Sequence, residues 1–219
     1  WRSGGYGTIS LGKAMELSSN IGVSYMVDHF YHNNPERFVK GIWRTGINDP
    51  NISIPIEGHA RPSIRMPERY PNGQWKNWSK TALLWMSIGY ETQIPPIYTL
   101  TFYNAIANNG RMMQPRFVKA TVKNGDTLTA YPPQVVKGRE QIASEKTIKI
   151  MQDLLHRVVI NGTGKKANSP NFWVCGKTGT AMIAKNGSYK GAPNHLLSFA
   201  GWFGEKDKPY YSCIVCIQK

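Results

Sequence analysis

Three apolar, strand-like runs close this chain, at 173–183, 197–203 and 210–217, and they come after a series of helical segments. Strands gathered at the end of a chain, behind its helices, imply an α+β fold with helices packed on an antiparallel sheet. With 219 residues the chain can bury one sizeable core, so one domain or a large part of one is expected. No run approaches the roughly 18 apolar residues that a membrane helix needs. The opening Trp1-Arg2-Ser3-Gly4-Gly5-Tyr6-Gly7 lacks both the apolar core of a signal peptide and an initiator methionine. The sequence therefore reads as a piece of a longer protein.

The helical segments carry their own punctuation. Residues 8–20 have Thr8 or Ser10 as N-cap and an apolar stripe of Leu11, Ala14, Met15 and Leu17. A second helix is expected over 21–29, so Ser18-Ser19-Asn20 falls at a helix junction. Pro35 opens a third, over 35–43, that Gly46 ends. Residues 47–80 are rich in Pro, Asn and Gly and read as a long irregular segment, with Trp75 and Trp78 as core plugs. Pro95-Pro96 start a further helix that Asn108-Asn109-Gly110 stops. Asn124-Gly125, between runs at 117–123 and 127–131, is a tight hairpin turn. Ser144 caps a helix to about residue 160, with Ile148, Met151, Leu154, Leu155 and Val158 inward, and Asn161-Gly162-Thr163-Gly164 breaks it.

Lysine and arginine number 27 against 13 aspartates and glutamates, a formal charge of +14. Such a surplus favours anionic partners. The basic residues are scattered, with no RNA-binding signature or zinc spacing, and the reading is a solvated basic surface without specific nucleic-acid binding. Three cysteines make no complete disulfide framework. Cys213 and Cys216, three apart on a strand, face opposite sides, which disfavours a shared metal or a disulfide; buried structural thiols are expected.

The last strand-like segments contain one stretch that core packing does not require, Gly176-Lys177-Thr178-Gly179-Thr180. The glycines remove side chains that would keep a ligand from the strand backbone. Lys177 supplies a fixed positive charge, Thr178 and Thr180 supply donors for a carboxylate, and the Thr180 amide can face a developing oxyanion. Ser18-Ser19-Asn20 adds a hydroxyl able to relay a proton and an amide able to grip a peptide. A lysine-bearing serine motif, a Ser-x-Asn motif and Lys-Thr-Gly form a set in penicillin-binding proteins and related β-lactamases.

With these motifs the chain resembles the transpeptidase domain of a class B penicillin-binding protein. The matching stretches run from Ala14 to Gly22, Ser87-Ile88-Gly89-Tyr90, Asn104 to Gly110, Gly162 to Ala167, Gly176 to Ala181, and Ser198 to Phe203. Ser87-Ile88-Gly89-Tyr90 resembles the division-type enzyme more than the elongation-type one. The resemblance implies the penicillin-binding protein transpeptidase and serine β-lactamase-like fold over 1–219, as a partial domain. It also implies a DD-transpeptidase that cross-links peptidoglycan stem peptides through an acyl-enzyme and is blocked by β-lactams. Ser18, Asn20 and Lys177 would be catalytic: Ser18 moving the nucleophile's proton, Asn20 holding the donor peptide and Lys177 bonding Ser18. Thr178, Gly179 and Thr180 would bind the terminal carboxylate, with the Thr180 amide as half of the oxyanion hole. The implied partners are stem peptide or lipid-linked precursor, β-lactams, and membrane proteins of wall synthesis or division. The implied location is the periplasmic face of the bacterial inner membrane, held by an N-terminal helix outside this sequence. No cofactor or metal is implied.

The sequence departs from the family at both ends. Only 17 residues precede Ser18, too few for the family's upstream Ser-x-x-Lys helix. Ser10-Leu11-Gly12-Lys13 fits that string but reads as a helix cap. The expected final helix after the last strand is also outside the sequence. His195 and Tyr189 are further cleft candidates, His195 close to Lys177 if their strands pair. A non-catalytic β-lactam sensor or scaffold of the same fold, and a serine β-lactamase, are the rival readings.

Overall fold

The closing runs pair as expected. In a computed structural model, which describes residues 5–183 and 194–218, they form one antiparallel sheet in the order β5-β6-β7. Its strands are β5 (Trp173–Met182), β6 (His195–Glu205) and β7 (Lys208–Gln218). Ahead of them come α1 (Leu11–Glu16), α2 (Asn20–Tyr31), α3 (Pro35–Arg44), α4 (Ala82–Ser87), α5 (Pro96–Ala107) and α6 (Glu145–Asn161). Two small ribbons complete the order: β1 (Ser63–Ile64) with β2 (Thr92–Gln93), and β3 (Ala120–Lys123) with β4 (Asp126–Ala130). The architecture is α+β, with α5 and α6 packed against the sheet.

Local signals set most of these boundaries. Ser10 Oγ accepts from the Lys13 amide at 3.2 Å, Ser19 Oγ from Gly22 and Ser144 Oγ from Thr147, each supplying an acceptor to an orphan N–H at a helix start. Asn124 and Gly125, at φ 55° and 93°, form the predicted turn between β3 and β4. The 47–80 segment is mostly irregular, and Trp78 plugs the core formed by Val39, Leu83 and Met86, with Trp75 packed at its side.

Two packing expectations need correction. On α6, Leu154 is only half-buried while His156 is buried. A polar ring is tolerated there because its Nδ1 bonds the Val174 carbonyl at 2.8 Å and its face stacks on Trp173. On β7, Cys213 is half-buried but Cys216 is exposed, so only Cys175 is a fully buried thiol. Burial pushes the Cys175 thiol up to about 12, which makes it inert as a nucleophile.

Candidate active site

The junction between α1 and α2 stores strain at one residue. Ser18 has φ 52°, in the left-handed region that glycine normally fills at a helix C-terminus. The surrounding bonds form the complete Schellman pattern: Ser19 N donates to Ala14 O at 2.8 Å and Ser18 N to Met15 O at 3.1 Å. A serine there costs about 1 kcal/mol relative to glycine. The two serines divide the work. Ser19 caps α2, whereas the Ser18 hydroxyl is exposed and accepts from Lys177 Nζ at 2.7 Å. Asn20 stands exposed in the first turn of α2, beside that hydroxyl in sequence.

Lys177 comes from β5, one of the two edge strands of the sheet among the described residues. Even-numbered residues of β5 turn their backbone polar groups away from β6. Val174 O bonds His156, Thr178 O accepts from Lys177 Nζ at 2.9 Å, and Met182 N donates to the Tyr90 hydroxyl at 3.3 Å. The two-residue period puts the Thr180 N–H on the same free edge, open to a ligand. Burial holds the Lys177 amine below the usual lysine range. Among the described residues no carboxylate pairs with it. Its charge is therefore free to meet an anion.

Thr180 is exposed, and Thr178 Oγ1 lies 2.8 Å from Thr163 Oγ1. The glycines also have a packing environment that the sequence does not show. A Cβ on Gly176 would lie 2.3 Å from the Phe199 ring, and one on Gly179 would lie 2.5 Å from Ser198 Oγ. Buried Gly176, which also faces the Ala200 carbonyl, serves the close pairing of β5 with β6, whereas Gly179 meets only a serine hydroxyl that can rotate aside.

Beneath Ser18 sits a buried carboxylate. Glu16 is 2% exposed and bonds Lys13 Nζ at 2.9 Å and Arg157 Nε at 2.7 Å, tying α1 to α6. The Lys13 hydrogen bond, with Arg157 acting in the same direction against burial, holds the Glu16 carboxyl below its usual range. A depressed carboxylate contributes stability that is present above its unfolded pKa and lost as pH falls through the folded one. Glu16→Ala is expected to destabilise the fold by about 2 kcal/mol at pH 7, measured by urea unfolding. The deficit should shrink as the wild type is acidified below the normal glutamate range.

Ser10, Ser18, Lys177 and His195 are thus placed very differently. Ser10 is a cap, and Lys13 is turned to Glu16. Exposure of this chain to penicillin is expected to leave no adduct at Ser10 by intact-mass analysis; a stoichiometric adduct would overturn the capping assignment. His195 pairs with Met182 and Lys177 pairs with Ala200. That five-residue offset places His195 roughly 17 Å along the strand, not beside Lys177. Tyr189 lies outside the described residues. Two residues at the edge of β5 escaped the sequence reading as site residues: Thr163 and Tyr90, the latter with its ring against Trp85. Both lie in stretches that carry the family resemblance, which was the available signal.

The family profile of the penicillin binding protein transpeptidase domain matches residues 1–219. Stage V sporulation protein D of Bacillus subtilis is 32% identical over 123 residues, covering 56% of this chain and 19% of that protein. Penicillin-binding protein PbpB of Mycobacterium tuberculosis is 31% identical over 173 residues, covering 75% of this chain and 23% of that protein. The D,D-transpeptidase domain of a peptidoglycan glycosyltransferase from Eggerthella lenta superposes with a TM-score of 0.70 at 26% identity, over 98% of this chain and 49% of that one. The chain thus spans only about a fifth to a quarter of the length of these two curated relatives.

Proposed function

Because this chain belongs to the penicillin-binding protein transpeptidase family, we propose that the protein carrying it is a serine-type D-Ala-D-Ala transpeptidase of class B, on the division-type branch. The observation that carries this reading is the 2.7 Å contact between Lys177 Nζ and Ser18 Oγ at an open strand edge. A lysine with no carboxylate partner among the described residues, a strained serine and threonine hydroxyls at one edge suit an acyl donor that ends in a carboxylate.

In this reading Thr178 and Thr180 donate to the terminal D-alanine carboxylate, and Asn20 holds the donor backbone. A nucleophilic serine, none of Ser10, Ser18 or Ser19, attacks the penultimate carbonyl. Its proton passes through the Ser18 hydroxyl to the departing D-alanine amine, while the Thr180 N–H donates to the oxyanion. The acyl-enzyme then passes to the amine of a second stem peptide, which forms the cross-link and regenerates the serine. β-Lactams would stop at the acyl stage. The partners proposed are stem peptide or its lipid-linked precursor and the membrane proteins of wall synthesis, at the periplasmic face. Among the described residues no helix is long and apolar enough to cross a membrane.

The test is labelled-penicillin acylation of the full-length protein, together with D-alanine release from a stem pentapeptide. Both are expected. A folded full-length protein that shows neither would overturn the reading.

A further inference from the structure

Thr163 touches both halves of the site. Its amide donates to Glu16 O at 3.0 Å, two residues ahead of Ser18, and its hydroxyl lies 2.8 Å from that of Thr178, next to Lys177. The loop that presents it is held closely. A Cβ on Gly162 would lie 2.2 Å from Glu16 O, and the Gly164 amide donates to Val158 O at 3.0 Å. The backbone on both sides of Thr163 is therefore fixed against α1 and α6.

Two hydroxyls in contact share a single proton between them, and either can be the donor. Among the described residues neither has another recorded hydrogen-bond partner, so the choice is left to whatever binds. A carboxylate has only acceptors. It needs the Thr178 proton, and Thr178 can release that proton outward only while Thr163 donates to its oxygen.

We propose that Thr163 is a positioning residue for anion recognition: its hydroxyl donates to Thr178 Oγ1 and so aims the Thr178 proton at the carboxylate of the incoming stem peptide or β-lactam. This inference rests on the transpeptidase reading above. The bland alternative is that the hydroxyl pair only pins the loop to β5. Loop pinning would act on every step, whereas proton aiming acts on binding.

The experiment is acylation of the full-length protein by a labelled penicillin over a range of concentrations, which separates half-saturation from limiting rate. Thr163→Val is expected to raise the half-saturating concentration roughly fivefold, the equivalent of one neutral hydrogen bond. The limiting rate should stay within about twofold. Thr163→Ser should restore wild-type behaviour. In a Thr178→Val background, Thr163→Val should have no further effect, because the two hydroxyls act as one unit. Thr163→Ala covers the case in which valine blocks folding, with the same expected split. An unchanged half-saturation, a loss confined to the limiting rate, or additive effects of the two substitutions would overturn the proposal. Failure of the wild-type protein to be acylated at all would instead strike the transpeptidase reading, and this inference with it.

Discussion

Lys177→Ala in the full-length protein is expected to lower penicillin acylation by about a thousandfold, the scale on which a preorganised charge or proton-transfer partner acts. The substitution removes the ammonium that bonds Ser18 Oγ and leaves that hydroxyl, exposed and at a strained φ, without its recorded partner. The fold should not weaken by the same cause. Burial depresses the Lys177 pKa, so the folded state disfavours the charged lysine. The sign follows from linkage: stability rises with pH wherever the unfolded chain binds more protons. Here that window opens at the lowered folded pKa and closes at the ordinary lysine value. The wild type should gain stability across it, and Lys177→Met should not. Acylation should move the opposite way, falling as the ammonium is lost at a pH below the usual lysine range. The measurements are labelled-penicillin kinetics and urea unfolding as functions of pH. Acylation by Lys177→Ala within tenfold of wild type would remove the central claim about this site.

Gly162→Ala is the second large effect. Its new Cβ would meet Glu16 O at 2.2 Å, Glu16 C at 2.8 Å and Val158 O at 2.9 Å, all of them backbone. No side chain can rotate aside, so α1 must move away from α6. The expected cost is about 3 kcal/mol in thermal or urea unfolding, at the upper end for overpacking. The functional cost is separate. Ser18 follows Glu16 by two residues, and a displacement of about 1 Å at a reacting geometry can lower a rate about a hundredfold. Gly125→Ala is the control: φ is +93° but no atom lies within 4 Å, so only local strain of about 1 kcal/mol in the β3–β4 turn is expected. Its acylation should match the wild type. Wild-type acylation by a folded Gly162→Ala variant would show that the α1–α6 contact does not set the site.

The two variants show why some of this protein was legible as a string and some was not. Ser10, Ser19 and Ser144 at helix starts and Asn124-Gly125 in the hairpin satisfy or bend backbone within three residues of themselves. Such signals need no knowledge of the rest of the chain. The closing strands were equally readable. The packing around Gly176, Gly179 and Gly162 was not. Each depends on which atoms arrive from β6 or α1. His156 illustrates the same limit: its burial follows from a carbonyl and an indole on β5, supplied by a strand that the period of α6 does not encode.

Residue types and their order determined the α+β class, the caps at Ser10 and Ser144, the Asn124-Gly125 turn and the chemical repertoire of Ser18, Asn20, Lys177, Thr178 and Thr180, but not α4 or the early end of α1. Tertiary structure alone decided that Lys177 reaches Ser18 across 159 positions, that His195 lies well down the strand, and that Thr163 and Tyr90 border β5. The physical reason is the range of the forces involved. Caps, turns and periodicity act through bonds and neighbours a few residues away, whereas the site is assembled by α1 packing on α6 and α6 on β5, contacts that exist only once the chain has folded.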